Sequence, residues 1–126
     1  MIKSLDHLVL TTRDTQQCLD FYTRALGMRL ERFGNERMAL CFGEQKINIH
    51  DPGLTTDAYA RFPTPGSLDF CLIADRPLAD VISHLESLGV AIELGPVART
   101  GARFPLRSIY LRDPDGNLVE ISEPAG

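Results

Sequence analysis

Several features that mark common classes of function are scarce or missing in this sequence. There is no tryptophan, and the only tyrosines are Tyr22, Tyr59 and Tyr110, so few aromatic rings are available to line an apolar cleft. No lysine-arginine run is present, and the net charge of -4 argues against a nucleic acid as a partner. No apolar run approaches the ~18 residues of a membrane span or resembles a signal-peptide core. We therefore expect a cytoplasmic protein that binds neither nucleic acid nor membrane.

Cysteine is also scarce, since Cys18, Cys41 and Cys71 are the only three. The number is odd, no CxxC pair occurs, and each cysteine lies in an apolar segment. We interpret all three as reduced, buried, small hydrophobic residues. That interpretation fits a reducing cytoplasm.

The remaining composition is that of an ordinary globular protein. The chain has 126 residues, of which 44% are hydrophobic and 24% charged. This length predicts one domain, because domains usually hold ~100–200 residues. A chain of this size can bury most of its apolar surface without disulfides or structural metals.

The first fifty residues have the pattern of a strand, a helix and three more strands. Residues 5–12 are rich in branched and apolar side chains, which is typical of a strand. Asp14 and Gln17 form a capping-box pattern, and apolar residues then recur at helical spacing up to Gly27, a natural helix end. Turn residues separate three further predicted strands, at about residues 28–33, 37–42 and 46–50.

Residues 51–66 contain three prolines and two glycines, and we interpret them as a linker with a short helical turn around Ala58 and Tyr59. The pattern then returns. Residues 68–74 predict a strand, and Pro77 is a good first residue for a helix that ends at Gly89. The predicted strands after it lie at about residues 91–94, 107–112 and 118–122, with a loop at 95–105 and a hairpin turn at 113–117 (DPDGN).

The two halves therefore repeat the same order of elements, with one module at residues 1–51 and a second at 67–124. Gly27 and Gly89 lie 62 positions apart, and so do His7 and Asp69. In the last strands Asn48 corresponds to Glu120 at an offset of 72 positions, with the ten extra residues in the 95–105 loop.

The first and the last strand of each module both carry a polar residue of a type that binds metals. Strand side chains alternate between faces, so Asn48 shares a face with His50, and Glu120 lies opposite Val119 and Ile121. Burying a polar group in an apolar strand costs several kcal/mol unless the group is paired or bound to a metal. Histidine and carboxylate side chains are suitable ligands for a divalent transition metal.

Each of these residues also has an ordinary structural interpretation. A single strand histidine such as His7 is more often hydrogen-bonded or half-exposed than a ligand. Glu120 can lie on the solvent face of an edge strand, and Asp69 can cap the loop before it. His50 can be an exposed residue at a strand end. His84, between the apolar positions of the second helix, is expected at the surface.

The sequence resembles the vicinal oxygen chelate superfamily, which includes glyoxalase I, bleomycin- and fosfomycin-resistance proteins and extradiol dioxygenases. The resemblance covers nearly the whole chain, and the C-terminal motif is its most specific part. It is carried by residues 6–10 (DHLVL), 21–22 (FY), 26–27 (LG) and 113–121 (DPDGNLVEI).

Three further segments are similar to glyoxalase-domain-containing proteins related to a bacterial virulence-associated glyoxalase-like protein. These segments are residues 46–50 (KINIH), 63–67 (PTPGS) and 95–102 (GPVARTGA).

The resemblance implies an α+β fold in which paired βαβββ modules form a curled mixed sheet around a cavity. It implies a divalent metal ion (zinc, nickel, cobalt, manganese or iron) held by residues of the first and last strands, with His7 as the first ligand and Glu120 as the last. Asn48 stands where glyoxalase I has a glutamate, and Asp69 stands where it commonly has a histidine. His50 is a candidate to replace the missing ligand, so the expected set is His7, His50, Asp69 and Glu120. The resemblance also implies a homodimer.

The leading hypothesis is a glyoxalase-like lyase or isomerase, similar to lactoylglutathione lyase, acting on a small hydroxy-carbonyl or hemithioacetal substrate. The metal would bind two adjacent substrate oxygens and, as a Lewis acid, stabilise the enediolate left when a proton departs. Glu120 is the candidate general base, as a ligand that loosens to take the proton. The candidates for substrate binding are Arg37, Arg99, Arg112 and Tyr110. An ordinary surface position is the favoured interpretation of Arg37 and Arg112, whereas Arg99 is preferred for binding because it lies in the loop after Pro96.

Two alternatives stay open at this point. A metal-free protein that sequesters a drug would need an aromatic-lined cleft, for which the sequence offers little. An extradiol dioxygenase usually needs two histidines and a glutamate at one iron, which His7, His50 and Glu120 can supply.

Overall fold

The same strand order occurs twice along the chain. The computed structural model describes residues 1–51, 53 and 56–126, which form two compact units, Met1–Ser67 and Leu68–Gly126. Each unit contains a four-stranded mixed sheet, with the order β1-β4-β3-β2 in the first and β5-β8-β7-β6 in the second. The predicted α+β class, built from two modules of strand, helix and three strands, is confirmed. That the two modules make a single domain stays a prediction.

The first unit follows the predicted order closely. Its first strand runs parallel to its last, and the other pairings are antiparallel. Its elements are β1 (His7–Thr11), α1 (Thr15–Asp20) with a π-helical turn at Phe21–Ala25, β2 (Arg29–Phe33), β3 (Arg37–Phe42) and β4 (Gln45–His50).

Both ends of the first helical segment match their sequence signals. The Asp14 side chain accepts a hydrogen bond from the Gln17 amide at 3.0 Å, as an N-cap should. Gly27 follows the helix with φ of 70°, a conformation that residues with a Cβ rarely adopt. The π-helical turn between these ends was not anticipated from the sequence.

The second unit has the same plan. Its first strand is again parallel to its last. The elements are β5 (Asp69–Ile73), α2 (Leu78–Ser87), β6 (Leu94–Thr100), β7 (Pro105–Arg112) and β8 (Leu118–Pro124). Pro77 precedes α2 and does not begin it, and the Leu78 amide donates to the Glu123 carboxylate of β8 at 2.8 Å.

Two local predictions are wrong. The described residues of 51–66 form neither helix nor strand, so there is no helical turn at Ala58 and Tyr59. Pro52, Leu54 and Thr55 of that predicted linker lie outside the described residues. The strand expected at 91–94 is instead β6, which occupies most of the segment expected to be a loop. Gly95 begins that segment at φ of 110°, and a Cβ there would collide with the Ser108 carbonyl oxygen, so glycine lets β6 lie close against β7.

The predicted turn between β7 and β8 is organised by one buried carboxylate. Asp113 Oδ1 accepts from the amides of Asp115 (3.0 Å) and Asn117 (2.9 Å), and its Oδ2 accepts from Asn117 Nδ2 (2.7 Å). Asn117 Oδ1 in turn accepts from the Leu68 amide at 2.9 Å, just before β5. The turn therefore fixes where both β8 and β5 begin.

Each sheet has one apolar face and one face that carries polar side chains. The apolar faces and the helices supply the cores, which are buried side chains at Leu10, Cys18, Leu19, Tyr22, Leu40, Ile47 and Ile49 in the first unit and at Leu78, Leu85, Ile109, Leu111, Val119 and Ile121 in the second. No helix in the part of the chain that the structure describes is long and apolar enough to cross a lipid bilayer. The polar faces hold the predicted site residues.

Candidate functional site

The two parallel strand pairs place their polar residues in the same register. In the first unit His7 lies opposite Lys46 and Val9 opposite Asn48. In the second, Asp69 lies opposite Leu118 and Cys71 opposite Glu120. His7 and Asn48 are therefore diagonal neighbours on one face, just as Asp69 and Glu120 are. Asn48 and Glu120, which correspond in sequence, therefore also occupy equivalent positions in their own sheets.

Glu120 contacts a pair of buried serine hydroxyl groups. Its Oε2 accepts from the Ser108 hydroxyl at 2.7 Å and lies 3.2 Å from the Ser122 hydroxyl. The two serine oxygens are 2.6 Å apart, and both serines are fully buried. Tyr110 lies opposite Glu120 on β7. The sequence alone does not indicate a role for the two serines, although they alternate with apolar residues on β7 and β8 and so share a face.

His7 is oriented by its neighbour in sequence. Its Nδ1 lies 2.8 Å from the Asp6 carboxylate, and 41% of its side chain is exposed. A carboxylate on one ring nitrogen fixes the tautomer and makes the other nitrogen, Nε2, a better metal ligand.

His50 occupies a different environment. It is buried, and its Nε2 has no hydrogen-bond partner among the described residues. Burial lowers the pKa of the imidazole, the nearby Arg37 charge lowers it further, and Asp51 opposes both. His50 lies opposite Thr11, four positions along β4 from the partner of His7, which is ~13 Å at the usual rise of a strand.

Asn48 is a candidate ligand outside the set expected from the sequence. Its side chain is buried, and no described residue hydrogen-bonds its Oδ1. An amide oxygen is a suitable ligand for a divalent cation. The sequence signal for this role is the correspondence of Asn48 with Glu120.

The four predicted substrate-binding residues differ in the contacts that they already make within the protein. Arg99 donates from Nε to the Tyr110 hydroxyl at 2.8 Å, and its guanidinium lies 5.3 Å from the centre of that ring. Arg112 is held by two hydrogen bonds to Glu93, at 3.0 and 3.2 Å. Arg37 stacks on the Phe33 ring at 5.1 Å. Arg99 and Tyr110 therefore form a pair beside Glu120, whereas Arg112 already has a carboxylate partner.

The cysteines differ from one another, so the prediction that all three are buried is wrong. Cys18 is buried, Cys41 partly buried and Cys71 exposed. Cys71 lies on the Glu120 face because side chains alternate along β5, and its sulfur is 3.2 Å from the Ser122 hydroxyl. Although the residue as a whole is exposed, partial burial of its sulfur raises the pKa of the Cys71 thiol, and the Glu120 charge adds to that rise.

The donor chemistry fits a divalent metal, although the side chains do not form a closed cluster. Across residues 1–51, 53 and 56–126, no group of three or more His, Cys, Asp or Glu side chains is arranged to hold a metal ion. Each unit nevertheless supplies a pair of ligand-type side chains at the same register, and the Asn48 oxygen in one of them is buried without a partner. A partnerless buried oxygen is costly unless something absent from the chain itself satisfies it.

Comparison with known proteins places the chain in a family. A family model described as the Glyoxalase/Bleomycin resistance protein/Dioxygenase superfamily matches residues 4–121. The glyoxalase domain-containing protein RDO1 of Mycosarcoma maydis is 50% identical over 96% of this chain and 68% of its own length. The virulence protein STM3117 of Salmonella typhimurium is 47% identical over 98% of this chain and 85% of its own length.

Solved structures agree on the fold. The integron cassette protein VCH_CASS1 from the mobile metagenome of V. cholerae is 47% identical, with a TM-score of 0.96 over 99% of this chain and 98% of that one. A lactoylglutathione lyase from Agrobacterium tumefaciens (23% identity, TM-score 0.74) and the antibiotic binding protein TnmS3 from Streptomyces sp. CB03234 (21%, 0.76) share the fold at low identity. The chain belongs to the glyoxalase/bleomycin resistance protein/dioxygenase superfamily.

Proposed function

We propose that the chain is a metal-dependent lyase or isomerase that acts on a small hydroxy-carbonyl or hemithioacetal substrate. The observation that carries the proposal is the matched register of His7 with Asn48 and of Asp69 with Glu120, one pair in each sheet. Two pairs of ligand-type side chains at equivalent places are hard to explain by packing alone. The superfamily includes lyases, which supports an enzyme but does not specify the reaction.

His7 and Glu120 are the proposed principal ligands, with Asp69 as a third. Within the first unit Asn48 is the diagonal neighbour of His7, and we propose it as a further ligand, while His50 stays a predicted ligand. A bound divalent ion would supply Lewis-acid polarisation of two adjacent substrate oxygens. One imidazole with carboxylate and amide oxygens is compatible with zinc, nickel, cobalt, manganese or iron.

Glu120 also has the position expected of a general base. It is half-buried, and its Oε2 is engaged by serine hydroxyls while neither hydroxyl contacts Oε1. Glu120 would loosen as a ligand, and Oε1 would then remove the proton from the carbon that bears the hydroxyl group and deliver it to the neighbouring carbonyl carbon. Arg99, fixed by Tyr110 and by a 3.0 Å hydrogen bond from Nη1 to the Ala98 carbonyl oxygen, would hold an anionic end of the substrate through Nη2.

The proposal is tested by turnover. Metal-reconstituted protein should convert the hemithioacetal of methylglyoxal and a thiol into the thioester, and Glu120→Gln should lower kcat by at least about a hundredfold. The control Glu86→Gln, on the exposed side of α2, should keep full activity. Absence of turnover across several divalent ions and thiols would reject the lyase.

A binding protein is the second candidate, because apolar side chains are exposed on the Glu120 face. Ile73 is 53% exposed and Leu94 47% exposed. Such side chains can contact an apolar ligand without any chemistry. Tight binding of a small apolar molecule by metal-free protein, without turnover, would support this function over the first. No observation favours the dioxygenase over these two.

The homodimer is also a proposal. Within its own sheet, β2 has a neighbour on one side only, and so does β6. Strand edges of this kind are usually covered or blocked in native proteins. Light scattering should give twice the chain mass at micromolar concentration, and a monomer mass throughout that range would reject the dimer.

A further inference from the structure

We propose that Ser108 and Ser122 are positioning residues that commit Oε2 of Glu120 to the protein and so leave Oε1 as its reactive oxygen. The inference rests on the proposed role of Glu120 as ligand and base. It adds two residues that do not touch the metal or the substrate and that act through Glu120.

The number of hydroxyl hydrogens available determines which group donates to which among Ser108, Ser122 and Glu120. Each serine hydroxyl has one hydrogen to donate and can accept from others. The Ser108 and Ser122 oxygens are 2.6 Å apart, so one hydroxyl must donate to the other. Only one hydrogen of the pair is then left for Glu120. The shorter contact, 2.7 Å from Ser108 against 3.2 Å from Ser122, assigns it to Ser108.

The chain of donors therefore runs from Ser122 to Ser108 to Glu120 Oε2. Cys71 Sγ lies 3.2 Å from the Ser122 hydroxyl, at the start of this chain. Both serines are fully buried, so water does not replace either hydroxyl. A hydrogen bond to an ionised carboxylate is shorter and about twice as strong as a neutral one. The 2.7 Å bond thus holds the orientation of the Glu120 carboxylate.

The arrangement has a chemical consequence for Glu120. Both hydroxyl contacts fall on the same carboxylate oxygen, which favours ligation through the other oxygen alone. Partners of this kind, behind a metal ligand, typically contribute 10–100-fold to metal affinity. We therefore expect the serine pair to control how tightly an ion is held.

The test compares Ser108→Ala, Ser122→Ala and the double variant with the control Ser87→Ala, an exposed serine at the end of α2. Titration calorimetry with Zn²⁺ or Mn²⁺ measures the affinity. The double variant should bind about 10–100-fold more weakly, and Ser87→Ala should match the wild type. Each single variant should lose less, because the remaining hydroxyl can turn to Oε2. A folded double variant with wild-type affinity would overturn the proposal.

A second readout needs no metal. The carboxyl ¹³C signal of Glu120 in metal-free protein, at a fixed pH where the carboxylate is ionised, reports its hydrogen bonds. It should move in the double variant and stay in Ser87→Ala, and an unmoved signal would overturn the positioning role. If the wild type binds no ion, the metal proposal fails while this signal still decides the serine proposal.

A third comparison covers the case in which the double variant does not fold. Ser108→Thr keeps the hydroxyl and Ser108→Ala removes it. The threonine variant should keep the wild-type Glu120 signal and the alanine variant should shift it. Equal shifts in both variants would show that packing, and not the hydroxyl, sets the carboxylate.

Discussion

Removing the Asp113 carboxylate should destabilise the second unit strongly. The side chain is 5% exposed and accepts three hydrogen bonds, two of them from backbone amides of its own turn. Hydrogen bonds to charged groups contribute ~1.5–3 kcal/mol each, and water entering the turn can recover part of that sum, so Asp113→Ala should lower the free energy of unfolding by about 3–5 kcal/mol. That is a large share of the ~5–15 kcal/mol typical of a domain.

Urea unfolding followed by far-ultraviolet circular dichroism measures the effect. Asp113→Asn is the matched variant, since it keeps the shape but sets its amide against the Asn117 amide, and it should lose an intermediate amount. Asp75→Ala removes an exposed carboxylate that pairs with Arg76, and it should leave the midpoint nearly unchanged. A loss below about 1 kcal/mol for Asp113→Ala would show that the Asp113 carboxylate does not stabilise the turn, because one charge-assisted hydrogen bond alone contributes more.

Three further predictions follow from burial and titration. Leu85→Ala should cost ~2–5 kcal/mol in urea unfolding because Leu85 is fully buried, whereas Leu88→Ala, at a site 38% exposed, should cost far less. The pKa of His50 is lowered in the folded state, so unfolding takes up a proton below about pH 6.5. The free energy of unfolding of the metal-free protein should therefore fall as the pH is lowered from 7.5 to 5.5. The His50→Gln variant should lose less stability over the same pH range. The pKa of Cys71 is raised, so iodoacetamide should modify this exposed thiol slowly at pH 7.5 and much faster above pH 9, and an equal rate at both would contradict the shift.

Local signals predicted much of the fold. The Asp14 cap, the glycines that end both helices and the turn at 113–117 depend on neighbours within a few positions, and the structure confirms each. The β6 strand was misplaced for the same reason. Gly95-Pro96 has the local pattern of a turn, and only the approach of β7 across the sheet explains why the chain is extended there.

The site depends on relations that a linear pattern does not contain. Alternation indicated that Asn48 and Glu120 face away from the core, but register alone shows which residue lies beside His7. The hydrogen bonds of Ser108 and Ser122 join two strands, and serine is too common in strands for its presence to predict them. Partial burial of Cys41 and exposure of Cys71 likewise follow from which face of each strand is covered.

Metal titration of single-site variants shows whether His7 and Glu120 bind a divalent ion. Purified, metal-stripped protein is titrated with Zn²⁺ and Mn²⁺ by calorimetry, alongside His7→Ala, Glu120→Ala and the control His84→Ala, which changes an exposed residue of α2. We expect one ion per chain for the wild type and for His84→Ala, and loss of binding in both other variants without loss of the folded spectrum. Wild-type affinity and stoichiometry in a folded His7→Ala or Glu120→Ala variant would contradict it.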